Sequence, residues 1–192
     1  MQWQRVGDKV PLKGNRFTVL LGRTVFRAMG FRLEGEFPNQ SKLIVAVAPH
    51  RSNVDFVLAM AVVLGLGLRA SFLAKQSLFK GPLRWLMYAL GGIPVERSAP
   101  QGLVGQLVAQ FNARTALVLG VTPEGTRTKV REWKKGFALI AQAANVPVLP
   151  AIIDYDTRIV RLAPLITNVA NADDTLLHVQ QAAAGVLPAQ AR

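Results

Sequence analysis

The chain has 192 residues, which fits one domain with at most a short extra segment. Hydrophobic residues make up 51% and charged residues 18%, so a packed core is affordable and a disordered chain is excluded. Lys and Arg outnumber Asp and Glu 23 to 11 (net charge +12), which points to an anionic partner, while the lack of cysteine excludes a disulfide framework, a thiolate nucleophile and zinc–cysteine clusters.

The first 16 residues carry charges and Pro11 where a secretory signal needs an apolar run, so export by that route is not expected and the mature chain is expected to start here. Residues 15–31 predict an amphipathic basic helix. Phe17, Leu20, Leu21, Thr24, Val25 and Ala28 follow helical spacing, and Arg16, Arg23 and Arg27 project from another face. That helix is either packed on the core or laid against anionic headgroups, and the two readings are compatible.

A turn over residues 35–41 leads to residues 43–48, a continuous apolar run that predicts a strand buried on both faces and ended by Pro49. Helical spacing follows over 54–64, then a short strand over 71–74, a helix over 82–90 and a strand over 93–95. The longest charge-free apolar stretch that fits one helix, residues 56–68, is 13 residues with two glycines, against about 20 needed to cross a bilayer, so no spanning helix is expected. Further elements are a helix over 103–114, a strand over 116–121, a helix over 133–145, strands over 148–153 and 159–162 at the far side of the sheet, and a helix over 173–184. Residues 185–192 are expected to fray. The alternation predicts an α/β fold: a single domain with a twisted, mostly parallel central sheet flanked by helices, plus the N-terminal amphipathic helix. No internal repeat, low-complexity tract or charge block divides it.

In open α/β sheets function collects beyond the carboxyl ends of the strands. After the first long strand come His50, the candidate N-caps Ser52 and Asn53, and Asp55 in the opening turn of a helix. A carboxylate that accepts one imidazole N–H fixes the tautomer and leaves the other nitrogen to take a proton from a hydroxyl. Alone, this H-x4-D spacing is a weak signal, better explained by a helix cap and a loop hydrogen bond. The other histidine, His178, falls in a polar helix and is read as structural.

Thr122-Pro123-Glu124-Gly125-Thr126-Arg127 follows the 116–121 strand and reads as an anion site: glycine allows close approach and arginine offers a forked donor. Gly92-Ile93-Pro94-Val95-Glu96-Arg97 delivers a second arginine to the same side of a parallel sheet, and Lys75 ends the 71–74 strand in the same way. Each of these cations, taken singly, is also explained as a surface charge.

Taken in order, His50-x4-Asp55, the Gly92–Arg97 block, Pro123-Glu124-Gly125-Thr126-Arg127 and Val146-Pro147-Val148-Leu149-Pro150 resemble the ordered motifs of the glycerolipid acyltransferase family, in its lysophosphatidate acyltransferase branch, over about residues 43–153. The resemblance implies residues 1–34 as an amphipathic basic segment and 35–192 as an acyltransferase domain. It also implies that His50 deprotonates the acceptor hydroxyl, that Asp55 holds His50, and that the hydroxyl attacks an acyl thioester on coenzyme A or acyl-carrier protein with no covalent acyl-enzyme. Arg97, Glu124, Gly125, Thr126, Arg127 and Lys75 would hold the phosphate of a lysophospholipid such as 1-acylglycerol-3-phosphate. No cofactor or metal is implied. Attachment would rest on the basic helix and on Trp85, Met87 and Tyr88, unless those three are core, giving a cytoplasmic protein peripherally bound to an anionic inner membrane face.

Two rival readings remain at this level. One is a noncatalytic basic module on membranes, which leaves His50 and Asp55 unexplained; no helix-turn-helix, zinc-finger or aromatic RNA-platform signature supports nucleic acid. The other is a thioesterase or lipase in which the same base activates water, although Gly-x-Ser-x-Gly is absent.

Overall fold

A computed structural model describes residues 3, 5–50, 52–82, 84–95, 100–124 and 133–186, the side chains of 100, 101 and 186 excepted. Its centre is a sheet of seven strands in the order β1-β7-β6-β2-β5-β3-β4. These are β1 (Arg32–Glu34), β2 (Lys42–Ala48), β3 (Ala70–Lys75), β4 (Gly92–Val95), β5 (Leu117–Val121), β6 (Val148–Asp154) and β7 (Ile159–Leu162). All pair in parallel except β6 with β7, which form an antiparallel hairpin.

The uninterrupted apolar run of β2 reflects burial on both faces. Successive side chains point to opposite sides of a strand, so Leu43 joins one core with Val118 and Leu149, while Ile44 and Ala46 join the opposite core with Leu119 and Val148. The second core is closed by α4 (Pro100–Ala113), α5 (Gly136–Ala144) and α6 (Ala172–Val186), through Leu107, Phe111, Phe137, Ile140 and Val179.

The other face carries α2 (Asn53–Leu66), with α1 (Arg16–Ala28) laid over it. Asn15 and Thr18 form a capping box that starts α1, and Gly30, at φ +76°, ends it short of the expected residue 31. The two helices meet through glycine: a Cβ on Gly22 would stand 2.5 Å from the Gly65 backbone nitrogen. Phe26 is fully buried beside Leu58 and Ala61, a contribution of ~1.5–3 kcal/mol.

The apolar stripe read from the sequence therefore does not face inward as a whole. Phe17 and Leu20 are 70% and 63% exposed, because Gly22 and Phe26 define the packed face. Arg23 also departs from the expected basic face: its Nε donates to the Gly65 carbonyl at 2.9 Å and its guanidinium lies 5.4 Å from the centre of the Trp3 ring.

Three further differences have local causes. Strand β1 was not foreseen, because three residues reading charged–apolar–charged show no usable period; pairing with β7 creates it. A 3-10 turn, Gln76–Phe79, precedes α3 (Arg84–Ala89). Strand β6 lies beside the central β2 rather than at the sheet's margin, since the β5–α5–β6 crossover steps over β2.

Candidate active site

Strands β6, β2 and β5 lie side by side and run in parallel, so the residues that follow them emerge at one edge. Tyr155 follows β6, His50 follows β2 two residues on, and Glu124 follows β5 three residues on. Side chains remote in sequence meet there because the register pairs Ala48 with Ile152 and Ala46 with Val121.

His50 and Asp55 come together as expected: Nδ1 of His50 lies 3.1 Å from Oδ2 of Asp55. Asp55 is only 3% exposed, and a buried carboxylate must be met by donors. Its Oδ2 accepts the Ser52 backbone N–H at 2.7 Å, and its Oδ1 accepts the Ser52 hydroxyl at 3.3 Å and the Tyr155 hydroxyl. Ser52 in turn accepts the Val54 N–H at 3.0 Å, completing a capping box with Asp55 at its third position.

The helix-cap and base-orienting readings of Asp55 are thus not alternatives. One carboxylate caps α2 and faces the imidazole. With Nδ1 turned to Asp55, Nε2 lies on the other side of the ring. His50 keeps 18% of its side chain exposed.

The Oε2 of Glu124 accepts the backbone N–H of His50 at 3.0 Å, bridging the two motifs. Lys75 is exposed at the end of β3, paired with Val95 of β4. Arg97, Gly125, Thr126 and Arg127 lie outside the described residues. His178 is exposed on α6. Among the described residues no cluster of His, Asp and Glu could hold a metal ion.

Tyr155 is the contact that sequence reading missed. Its signal was position alone, directly beyond a strand adjoining the His50 strand. Its ring meets Phe31 edge-on at 6.0 Å, and it lines an open groove of about 360 Å³ with Met29, Phe31, Ser52, Val54 and Arg158. That groove lies on the Asp55 side of the pair.

The exposed outer surface of α1 and α3 is the other chemically distinct region. Phe17, Leu20 and Leu21 on α1, with Leu12 before it, and Trp85 and Tyr88 on α3 are exposed apolar side chains. Lys13 Nζ, in the segment before α1, donates to the Ala89 carbonyl at the end of α3 at 2.8 Å, and Lys13, Arg16, Arg27, Lys80 and Arg84 are exposed cations of these segments. No helix among the described residues is long and apolar enough to cross a membrane.

Comparison with known proteins agrees with this architecture. The chain is 29% identical over 150 residues to a 1-acyl-sn-glycerol-3-phosphate acyltransferase of Cocos nucifera, covering 73% of this chain and 47% of that protein. It is 27% identical over 149 residues to the protein of the same name from Limnanthes alba, covering 73% and 51%. The chain thus spans about half the length of the curated relatives it matches. The crystal structure of the 1-acyl-sn-glycerophosphate (LPA) acyltransferase PlsC from Thermotoga maritima shares the fold, with a TM-score of 0.64 at 24% identity over 89% of this chain and 77% of that one. The sequence model of the Acyltransferase family matches residues 30–154, well over half of the chain and the whole span from the end of α1 to the end of β6. The chain belongs to the acyltransferase family.

Proposed function

We propose that this protein transfers a fatty acyl group from an acyl thioester, on coenzyme A or acyl-carrier protein, to the hydroxyl of a lysophospholipid such as 1-acylglycerol-3-phosphate. The observation that carries the reading is the 3.1 Å approach of His50 Nδ1 to the buried Asp55 carboxylate at the strand-end edge of an acyltransferase-family domain. The acceptor is taken from the relatives named 1-acyl-sn-glycerol-3-phosphate acyltransferases.

In this mechanism His50 Nε2 takes the proton of the acceptor hydroxyl as its oxygen attacks the thioester carbonyl carbon. Collapse of the tetrahedral adduct breaks the carbon–sulfur bond, and the proton returns to the leaving sulfur, so the products are an ester and a free thiol. Asp55 stabilises the transient imidazolium and holds its orientation. No acyl-enzyme is required.

Arg97 and Arg127, with Lys75 and the Gly125-Thr126 backbone, are the groups assigned to the acceptor phosphate, since forked guanidinium donors suit a dianionic headgroup. Glu124 serves that pocket indirectly. A carboxylate repels a phosphate, and its hydrogen bond to the His50 N–H makes it a brace that keeps the base-bearing loop against the third motif.

The reaction is placed at the cytoplasmic face of an anionic membrane. The apolar surface of Phe17, Leu20, Leu21, Trp85 and Tyr88, accompanied by cations, has the composition of an interfacial docking face. A lysolipid acceptor dissolved in that membrane then meets the enzyme in two dimensions.

The test supplies a labelled acyl thioester, on coenzyme A and separately on carrier protein, with a panel of lysophospholipids to the wild type and to His50→Ala. Labelled diacyl product from the wild type alone is expected. Equal turnover by both proteins, or label released only as free fatty acid, would overturn the reading.

A further inference from the structure

Beyond the contact with His50, donors from Ser52 and from Tyr155 meet the Asp55 carboxylate. The Ser52 contacts, at 2.7 and 3.3 Å, come from within the same helix turn and accompany any capping box of this kind. The Tyr155 hydroxyl comes from the far side of the β2–β6 strand pair, 100 residues along the chain, and donates to Oδ1, the oxygen that does not face His50. A carboxylate gripped only through its local turn is free to rock about its terminal torsion, which is broad. A second donor on Oδ1 stops that motion and keeps Oδ2 aimed at the imidazole.

Tyr155 is itself held on both sides. Its ring meets Phe31 edge-on at 6.0 Å, and Phe31 packs on the fully buried Phe26 at 6.3 Å. On the other side the β6–β7 turn is pinned by Asp154, whose carboxylate accepts the backbone N–H groups of Asp156 at 3.0 Å and Thr157 at 3.2 Å and the Thr157 hydroxyl at 2.6 Å. The phenol is therefore delivered to Asp55 by structure external to the motif that contains the base.

We propose that Tyr155 is a positioning residue of the base, holding the Asp55 carboxylate in the orientation that orders His50. The proposal rests on the acyl-transfer reading for its kinetic consequence, but its structural content does not. It predicts that the hydroxyl contributes to the rate of the chemical step and not to acceptor binding.

The experiment compares wild type, Tyr155→Phe and His50→Ala by steady-state kinetics, melting temperature and proton NMR of the downfield His50 Nδ1–H resonance, identified by its loss in His50→Ala. Tyr155→Phe is expected to lower kcat by about tenfold with KM for the acceptor unchanged, as loss of one hydrogen bond to a charged group implies. The Nδ1–H resonance is expected to move or broaden as the carboxylate loosens. Phe31→Leu, which keeps the hydroxyl but loosens the ring, should give an intermediate loss and a smaller change in that resonance. An unchanged resonance in Tyr155→Phe overturns the proposal, whether the rate stays at the wild-type value or falls only in step with the melting temperature. If wild type and His50→Ala turn over equally, the acyl-transfer reading fails instead, while the resonance still reports whether Tyr155 orders the pair.

Discussion

The Glu124 carboxylate accepts the backbone N–H of His50 at 3.0 Å, so the loop that carries the proposed base is fastened to the motif proposed for the acceptor headgroup. The two segments are tied together by that bond. Glu124→Ala should release the loop and lower kcat by ~10–100-fold, the range that follows from misplacing a catalytic group by about 1 Å. Glu124→Gln keeps an oxygen acceptor and should lose far less. Kinetics of the two variants check this, and a Glu124→Ala enzyme with wild-type kcat would remove Glu124 from the site.

Asp55 joins a proposed catalytic role to a structural one, and the two separate by mutation. His50→Ala and Asp55→Ala should both abolish most acyl transfer, by ~10²–10⁴-fold. Only Asp55→Ala also dismantles the capping box with Ser52, at a cost of ~0.5–2 kcal/mol. Denaturant melts should therefore place Asp55→Ala below His50→Ala in stability, and equal stabilities would show that the cap contributes nothing.

Arg97→Ala and Arg127→Ala should each raise KM for lysophosphatidate by about tenfold or more, because a charge-assisted hydrogen bond contributes ~1.5–3 kcal/mol. A monoacylglycerol, which has the hydroxyl but no phosphate, should be used equally by wild type and variants. A loss that is the same for both acceptors would assign the arginines to folding rather than to the headgroup.

Trp85 is 71% exposed, which makes it an intrinsic reporter of the apolar surface. Its emission should shift to the blue on vesicles rich in phosphatidylglycerol and return as salt is raised, since cations accompany the apolar residues. Leu20→Ser and Phe17→Ser should each weaken vesicle binding by about tenfold, consistent with ~1.5–3 kcal/mol for burying such a side chain. Trp85→Phe removes the signal. An emission spectrum indifferent to vesicles, with no co-sedimentation, would separate this surface from the membrane.

Burial alone would push the Asp154 carboxyl up, but the Thr157 hydroxyl, the N–H groups of Thr157 and Asp156, and the Arg161 charge hold it below the usual carboxylate range. A folded value below the unfolded one means that the stabilisation is fully present above the unfolded value, ~4, and is lost as pH falls through the folded one. The melting temperature of Asp154→Asn should lie below wild type by a constant margin from pH 7 to pH 5, and the gap should narrow below pH ~4. A margin that persists unchanged at pH 3 would refute the assignment.

Much of this molecule was legible in its residues. The apolar, partly β-branched run of Leu43 to Ala48 announced a strand buried on both faces, and in the structure Leu43, Ile44, Ala46 and Ala48 are buried and Val45 and Val47 half-buried. Helix starts at Asn15 and Ser52 follow from side chains able to accept a backbone N–H, and the His50–Asp55 spacing is short enough for one loop and one helical turn to close. These are local matters, decided within a few residues.

What tertiary structure alone decided is long-range. Which face of α1 packs depended on Gly22 meeting Gly65, which sends Phe17 and Leu20 outward in spite of their helical spacing with buried neighbours. β1 exists only because β7 lies beside it. Above all, the meeting of Tyr155, His50 and Glu124 depends on the order β6-β2-β5, because a strand order records how crossovers place residues about 30 to 100 positions apart, and no periodicity in the chain encodes that.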